Sequence, residues 1–269
     1  MNRFAPVAMF LMANLLYAVP PVSPSQKLPE LEGVGVEEKL GAQIDLGLTF
    51  IDTDGKPKEL GEFFKKGRPV ILVFAYYTCP MLCSMVLNGT SQVLREIPWT
   101  IGTEYEVITV TIDPRDNWEV AKKKRDSYLA NYGRPTNGWH FMADYMEHVK
   151  VLAKSAGFNY KWDGTQEQYA HAAGFLVLTP EGKISRYLYG IKFKSRDVRL
   201  ALAEASESKT GMAFERILLY CFHYDPNAKS YVLFATNIMR AGGVMVVLIL
   251  GLVLWRLFRA ENQNLRMAQ

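Results

Sequence analysis

Apolar and polar positions along this chain fall into short runs with two periodicities. Ile44 to Ile51 alternates and predicts a strand, and Asp54-Gly55-Lys56-Pro57 supplies turn chemistry before a short amphipathic piece from Glu59 to Phe64. Pro69 to Tyr77 is a continuous β-branched and aromatic run, the pattern of a central strand with both faces of its sheet covered. Directly after it, Thr78 can cap a helix and Pro80 suits a first helical turn. Met85, Val86, Val93, Leu94 and Ile97 then form one helical face, with Asn88 and Gly89 weakening its middle. Tyr105 to Ile112 predicts a second buried strand, stopped by Asp113-Pro114, and Trp118 to Tyr132 a charged helix. The basic run Lys122 to Arg125 in that helix reads as a solvated face rather than a docking patch.

A further helix is expected near Tyr145 to Ala156. Strands at Gly174 to Leu178 and Ile184 to Tyr189 are joined through Pro180-Glu181-Gly182-Lys183 as a hairpin, and Val198 to Ala205 closes the set as a helix. Strand, helix, strand, helix, helix, hairpin, helix is the order of a thioredoxin-like α/β sandwich with an N-terminal strand added. No internal repeat interrupts it.

The two ends of the chain follow a different pattern. Ala5 to Val19 is a short apolar run behind Arg3, with small residues before the proline-rich stretch from Val19 to Pro24. This is the layout of a secretory signal peptide, with an uncleaved anchor as the alternative. Ala241 to Phe258 is uncharged up to Arg256 and would make about 27 Å of helix at ~1.5 Å per residue. That is enough to span a membrane if Arg240 and Arg256 reach opposite interfaces with Trp255 as an aromatic anchor. Arg256, Arg259 and Arg266 beyond it place the C-terminus in the cytoplasm by the positive-inside rule, and the main domain outside.

Charge agrees with this division. The formal net charge is +4, but Arg3 and the segment after residue 239 carry all of it, so residues 4–239 are balanced and offer no basic face for nucleic acid. With 269 residues, 49% of them apolar, the chain can bury one sizeable core.

Three cysteines outside the cytoplasm are exposed to oxidation: two can pair and one is left over. Cys79 and Cys83 are four apart, so on a helix both thiols face the same way, one turn apart. At a helix N-terminus the unpaired amides favour thiolate over thiol. The pair is therefore both a potential disulfide and a potential soft-metal ligand set. Cys221 and His223 form a Cys-x-His, for which a partly buried cysteine is the simpler reading than a second metal site, since no further ligand stands nearby. His140 and His148 have no partner nameable from sequence, and Met81 and Met85 read as core or pocket wall before they read as soft-metal contacts.

At this point three motifs, in order, resemble the Sco/SenC family of copper-binding proteins required for cytochrome c oxidase assembly. They are Val-Phe-Ala-Tyr-Tyr-Thr-Cys-Pro-Met-Leu-Cys at 73–83, Thr-Val-Thr-Ile-Asp-Pro-Arg-Asp at 109–116, and Tyr-Ala-His-Ala-Ala-Gly-Phe-Leu-Val-Leu-Thr-Pro-Glu-Gly-Lys at 169–183. The resemblance runs from about Leu40 to Ala205. It implies that Cys79 and Cys83 are the two cysteine ligands, also able to form a redox-active disulfide, and that His171 is the distal histidine ligand. Two thiolates suit Cu(I), and one added imidazole lets the same site accept Cu(II). Met81 replaces an acidic residue often found between the cysteines, Ser84 stands where a proline often follows, and the Asp113 loop is one residue shorter than usual. All three ligand positions are kept. The span lies at the C-terminus, whereas most family members carry theirs at the N-terminus.

The resulting layout is a signal peptide or anchor over 1–19 and a proline-rich linker over 20–39, then a thioredoxin-like copper-binding domain over 40–207. A juxtamembrane segment over 208–239, a transmembrane helix over 240–258 and a cytoplasmic tail over 259–269 complete it. The function implied is a copper metallochaperone in the cell (inner) membrane, serving the dinuclear copper centre of cytochrome c oxidase. Its partners would be the oxidase's copper-bearing subunit or another copper chaperone. The alternative is an extracytoplasmic thiol-disulfide oxidoreductase acting on the cysteines of that centre. A peroxide-reducing enzyme ranks lower because no Arg and Thr pocket motif surrounds the cysteines, and a non-catalytic domain with a structural disulfide is a fourth reading. His171 discriminates between the first two, because thiol exchange needs no distant imidazole.

Overall fold

The computed structural model describes residues 33–79, 82–206, 222–225, 230–233, 243–252 and 255–256. In chain order the elements are β1 (Gly35–Val36), β2 (Thr49–Ile51), β3 (Pro57–Glu59), a 3-10 turn (Leu60–Phe64), β4 (Val70–Ala75), α1 (Leu82–Glu96), β5 (Glu106–Thr111), α2 (Trp118–Tyr132) and β6 (Trp139–Met142). Then come α3 (His148–Ser155), β7 (Phe158–Asn159), β8 (Lys161–Asp163), β9 (Gln168–Ala170), β10 (Gly174–Leu178), β11 (Ile184–Tyr189), α4 (Ser195–Ala205), β12 (Phe222–Asp225) and β13 (Ser230–Leu233).

A five-stranded sheet in the order β11-β10-β4-β5-β6 forms the centre. β4, β5 and β6 are parallel, linked by the helical crossovers α1 and α2, while β10 runs antiparallel to β4 and pairs with β11 as a hairpin. This is the thioredoxin-like arrangement that the order of apolar runs predicts. No residue of β4 or β5 is more than 1% exposed, which explains why both read as unbroken apolar runs without alternation. α2 coincides with its expected bounds: the Asn117 side chain accepts the Val120 N–H at its start, and Gly133, left-handed at φ 70°, ends it.

Three expectations need correction. Only Thr49–Ile51 of the Ile44 to Ile51 run is a strand, paired with β3. Ile44 is buried ahead of it, its N–H given to the Gly182 carbonyl. The helix near Tyr145 starts at His148, because Met146 and Glu147 take left-handed backbone (φ 52° and 61°) that no helix continues through. Strands β1, β3, β6, β7, β8, β9, β12 and β13 lie outside the runs read as strands, β1 within the expected linker. β6 has only four residues, and β8 and β9 are short, polar and exposed or half-exposed, so neither periodicity could mark them.

Two of the histidines have structural partners. His140 Nε2 lies 3.1 Å from Glu106, which is also bridged by Lys66 at 3.0 Å and Arg68 at 3.2 Å, and His148 Nδ1 faces the Thr49 backbone, 3.0 Å from its N and 2.9 Å from its O. Arg134 satisfies carbonyls at the end of α1, reaching Leu94, Arg95 and Ile97 at 3.1, 2.6 and 2.9 Å.

Among the described residues no helix is long and apolar enough to cross a membrane. Within the expected span the chain is helical at 243–252 and at 255–256, and Val244, Met245, Val247 and Leu248 are all more than half exposed. Part of the expected juxtamembrane segment forms the β12–β13 hairpin. The segment 1–32, with the expected signal peptide, lies outside the described residues.

Gly89, a weak point of α1 by propensity, is explained by packing. A Cβ there would sit 2.0 Å from the Ile191 carbonyl oxygen, so glycine lets the helix press against the loop between β11 and α4. Gly89→Ala should therefore destabilise the protein by about 2 kcal/mol, an overpacking cost that outweighs alanine's better helix propensity of about 1 kcal/mol. The check is chemical denaturation of the two proteins; equal or greater stability of the variant would contradict the close approach.

Candidate metal centre

β4 delivers the chain to the candidate site. Past Ala75, Tyr76 and Tyr77 remain buried, Thr78 turns outward, and Cys79 is buried again at 5% exposure, its N–H directed to the Tyr76 carbonyl at 3.4 Å. Cys79 thus lies in a turn ahead of the described helix, which begins at Leu82. Cys83 belongs to the first turn of α1, and its side chain lies outside the described atoms. The Ser84 hydroxyl donates to the Cys79 carbonyl at 3.0 Å and fastens this turn to the helix. Thr78 donates its hydroxyl to Asp116 at 3.3 Å.

His171 directly follows the β8–β9 hairpin and stands three residues before the start of β10. Because β10 is antiparallel to β4, its N-terminal end lies beside the C-terminal end of β4, so His171 and Cys79 are carried to the same end of the sheet. Aromatic contacts link the two segments. Tyr76 meets Tyr169 edge-on with centroids 5.8 Å apart, and Phe158 stacks on Phe74 at 4.6 Å while lying 5.9 Å from the His171 ring.

His171 is 6% exposed, and burial pulls its pKa below the ordinary histidine value despite the opposing pull of the Ala172 carbonyl. Nδ1 lies 2.9 Å from that carbonyl oxygen. A carbonyl can only accept, so Nδ1 carries the hydrogen of the neutral ring and Nε2 keeps its lone pair, the tautomer a metal-ligating histidine needs. Two thiols brought together with one such imidazole would be a donor set suited to copper.

Among the described side chains, which do not include Cys83, no group of three or more His, Cys, Asp and Glu residues is arranged to hold a metal. Cys221 lies outside the described residues. His223 sits in β12 opposite Val232. A cavity of about 480 Å³ opens beside β6, lined by residues including Phe63, Arg125 and His140, and takes in neither Cys79 nor His171.

Residues that sequence reasoning passed over complete the surroundings. Asp116, 3% exposed, accepts the Tyr77 N–H at 2.6 Å and the Thr111 hydroxyl at 2.6 Å besides Thr78. Burial raises its pKa, against the pull of those donors. The Tyr77 hydroxyl bonds Thr109 and Met142, and burial, followed by the Asp116 charge, drives its pKa up. Asp113-Pro-Arg-Asp116 was visible as a motif, but nothing in its spacing showed that Asp116 reaches the cysteine segment.

A parallel βαβ unit followed by a β-hairpin, with a Cys-x-x-x-Cys directly after the central strand, defines a thioredoxin-like protein with a thiol site. The SCO1/SenC family model matches residues 37–205, more than half of the chain, and the chain belongs to that family. A Stutzerimonas stutzeri protein described as copper-binding is 24% identical over 127 residues, 46% of this chain and 59% of the relative, so the match spans about three fifths of that protein. An Aquifex aeolicus structure assigned to electron transfer superposes with a TM-score of 0.56 at 26% identity, over 64% of this chain and 98% of its own. BsSco, a Sco-family cytochrome c oxidase assembly protein with a disulfide switch, superposes with a TM-score of 0.51 at 21% identity, over 64% of this chain and 99% of its own, which shows the shared fold.

The His171 environment sets a pH response. In the metal-free protein its imidazole should titrate below the ordinary histidine range, because burial disfavours the cation. The unfolded chain takes up that proton first, so the stability concerned is fully present above the ordinary histidine pKa and is lost as pH falls below it. Following the His171 ring protons by NMR against pH checks this. A midpoint at or above about 6.5 would contradict a buried neutral ring.

Proposed function

We propose that this chain is a copper-binding assembly factor that holds copper as cargo through Cys79, Cys83 and His171 and delivers it to the dinuclear copper centre of cytochrome c oxidase. The observation that carries the reading is His171: buried, its Nδ1 committed to the Ala172 carbonyl, and brought by the sheet to the end where Cys79 lies. Membership of the SCO1/SenC family and a relative described as copper-binding support it.

The thiols provide soft donors for Cu(I), and the imidazole adds the nitrogen donor that favours Cu(II). Cys79 is mostly shielded from water while Thr78 beside it is exposed, so a client could approach along the outer side of the turn. A thiol-disulfide oxidoreductase would use the same cysteines, and the feature that suits it is a buried carboxyl of raised pKa, Asp116, which reaches the cysteine segment from the β5–α2 turn. That chemistry makes no demand on His171.

We also place the domain outside the cytoplasm, held by a C-terminal span over 240–258. An uncharged helical run whose apolar side chains the protein leaves uncovered is what a bilayer would cover, and the arginines beyond it set its direction.

His171→Ala separates delivery from reduction. Under the copper reading the variant should form and reduce its disulfide normally, yet lose copper at least about tenfold more readily, since a three-donor site is left incomplete. Cells carrying it as the only copy should show depressed oxidase activity at limiting copper. Normal activity there would sink the delivery reading and favour the reductase. For topology, a reporter fused after Gln269 should be active only in its cytoplasmic form and one near Lys229 only in its extracytoplasmic form. The reverse pattern would overturn the orientation.

A further inference from the structure

The turn between β5 and α2 touches both halves of the candidate site. On one side Asp116 holds the cysteine segment through the Tyr77 N–H (2.6 Å) and the Thr78 hydroxyl (3.3 Å). On the other, Arg115 lies over Trp162 of β8, its guanidinium carbon 4.8 Å from the ring centre. Asp113, 0% exposed, accepts Arg115 Nε at 2.9 Å and Nη2 at 2.7 Å in a two-pronged pair, and also the Arg115 N–H at 2.9 Å. The guanidinium is thereby aimed at the indole. Trp162 stands opposite Tyr169 in the hairpin with ring centres 5.0 Å apart, and Tyr169 meets Tyr76, the residue before Tyr77. Asp113, Arg115, Trp162, Tyr169, Tyr76, Tyr77 and Asp116 thus close a ring of contacts. That ring runs from the cysteine segment to the hairpin ending one residue before His171.

We propose that the Asp113–Asp116 turn is a strap that sets the separation of the cysteine segment from the histidine hairpin, with Arg115 and Asp116 as positioning residues. The proposal rests on the copper reading and extends it. Among the described residues β8 and β9 pair only with each other, outside the five-stranded sheet, so ladder bonds to that sheet do not fix the hairpin. A cation held by a buried carboxylate and laid over an indole supplies a direct hold. Because the same turn grips the cysteine segment, shifting one ligand-bearing segment shifts its distance to the other only against the strap.

The test compares the full chain with Arg115→Ala, Trp162→Ala, the double variant and Trp162→Phe, which keeps an aromatic face. In the metal-free proteins, amide exchange over residues 161–171 should rise about tenfold in each alanine variant. It should be no faster in the double variant than in either single one, and should stay near wild type in Trp162→Phe. Copper-loaded alanine variants should release Cu(II) about tenfold faster than wild type. Unchanged exchange, effects that multiply in the double variant, or faster exchange with unchanged release would each overturn the strap. If the wild-type chain takes up no copper, the copper reading fails by itself, and exchange in the metal-free variants alone decides whether the turn holds the hairpin.

Discussion

Everything in the central domain is hung on β4. Each residue from Val70 to Ala75 is buried, flanked by β5 on one side and β10 on the other. A strand covered on both faces and paired on both edges has no freedom to slide, because a shift would leave buried N–H and C=O groups without partners. Where β4 ends the ladder stops, and the chain must satisfy its backbone by other means. Asp116 supplies the acceptor for Tyr77, and the Tyr76 carbonyl faces the Cys79 N–H. The cysteine turn inherits the position of the strand before it.

The two ends of β5 show how environment assigns different work to buried carboxyls. Glu106 begins the strand and meets Lys66, Arg68 and His140. Burial alone would raise its pKa, but His140 and Lys66 outweigh it and hold the group below the usual carboxylate range. Asp116 lies beyond the other end and receives only neutral donors, from Thr111, Thr78 and the Tyr77 backbone, so burial prevails and its pKa rises. The ion-paired carboxylate sits at the end of the sheet away from the cysteines, while the one whose pKa burial raises sits beside their turn.

Much of this was legible in the chain. The unbroken apolar runs at Pro69 to Tyr77 and Tyr105 to Ile112 marked the central strands, because burial on both faces removes alternation. The bounds of α2 were readable because Asn117 and Gly133 are local devices acting within a turn of the helix. Cys79, Cys83 and His171 stood out as candidate ligands from their motifs. β8 and β9 escaped notice because their residues are polar or half-exposed, and Gly89 looked like a flaw because the carbonyl of Ile191 that requires it is far along the chain.

Local sequence was enough for the long buried strands and the helices, for the placement of two cysteines directly after a buried strand, and for the charge asymmetry between the chain's ends and its middle. These depend on neighbours within a few residues, where periodicity, capping and composition act. Only the tertiary structure decided that His171 is buried with Nδ1 committed to Ala172, that it lies at the same end of the sheet as Cys79, and that Asp116 and Arg115 reach from one turn to the two segments. Those outcomes depend on contacts between residues distant in the chain, and it is the antiparallel pairing of β10 with β4 that brings them together.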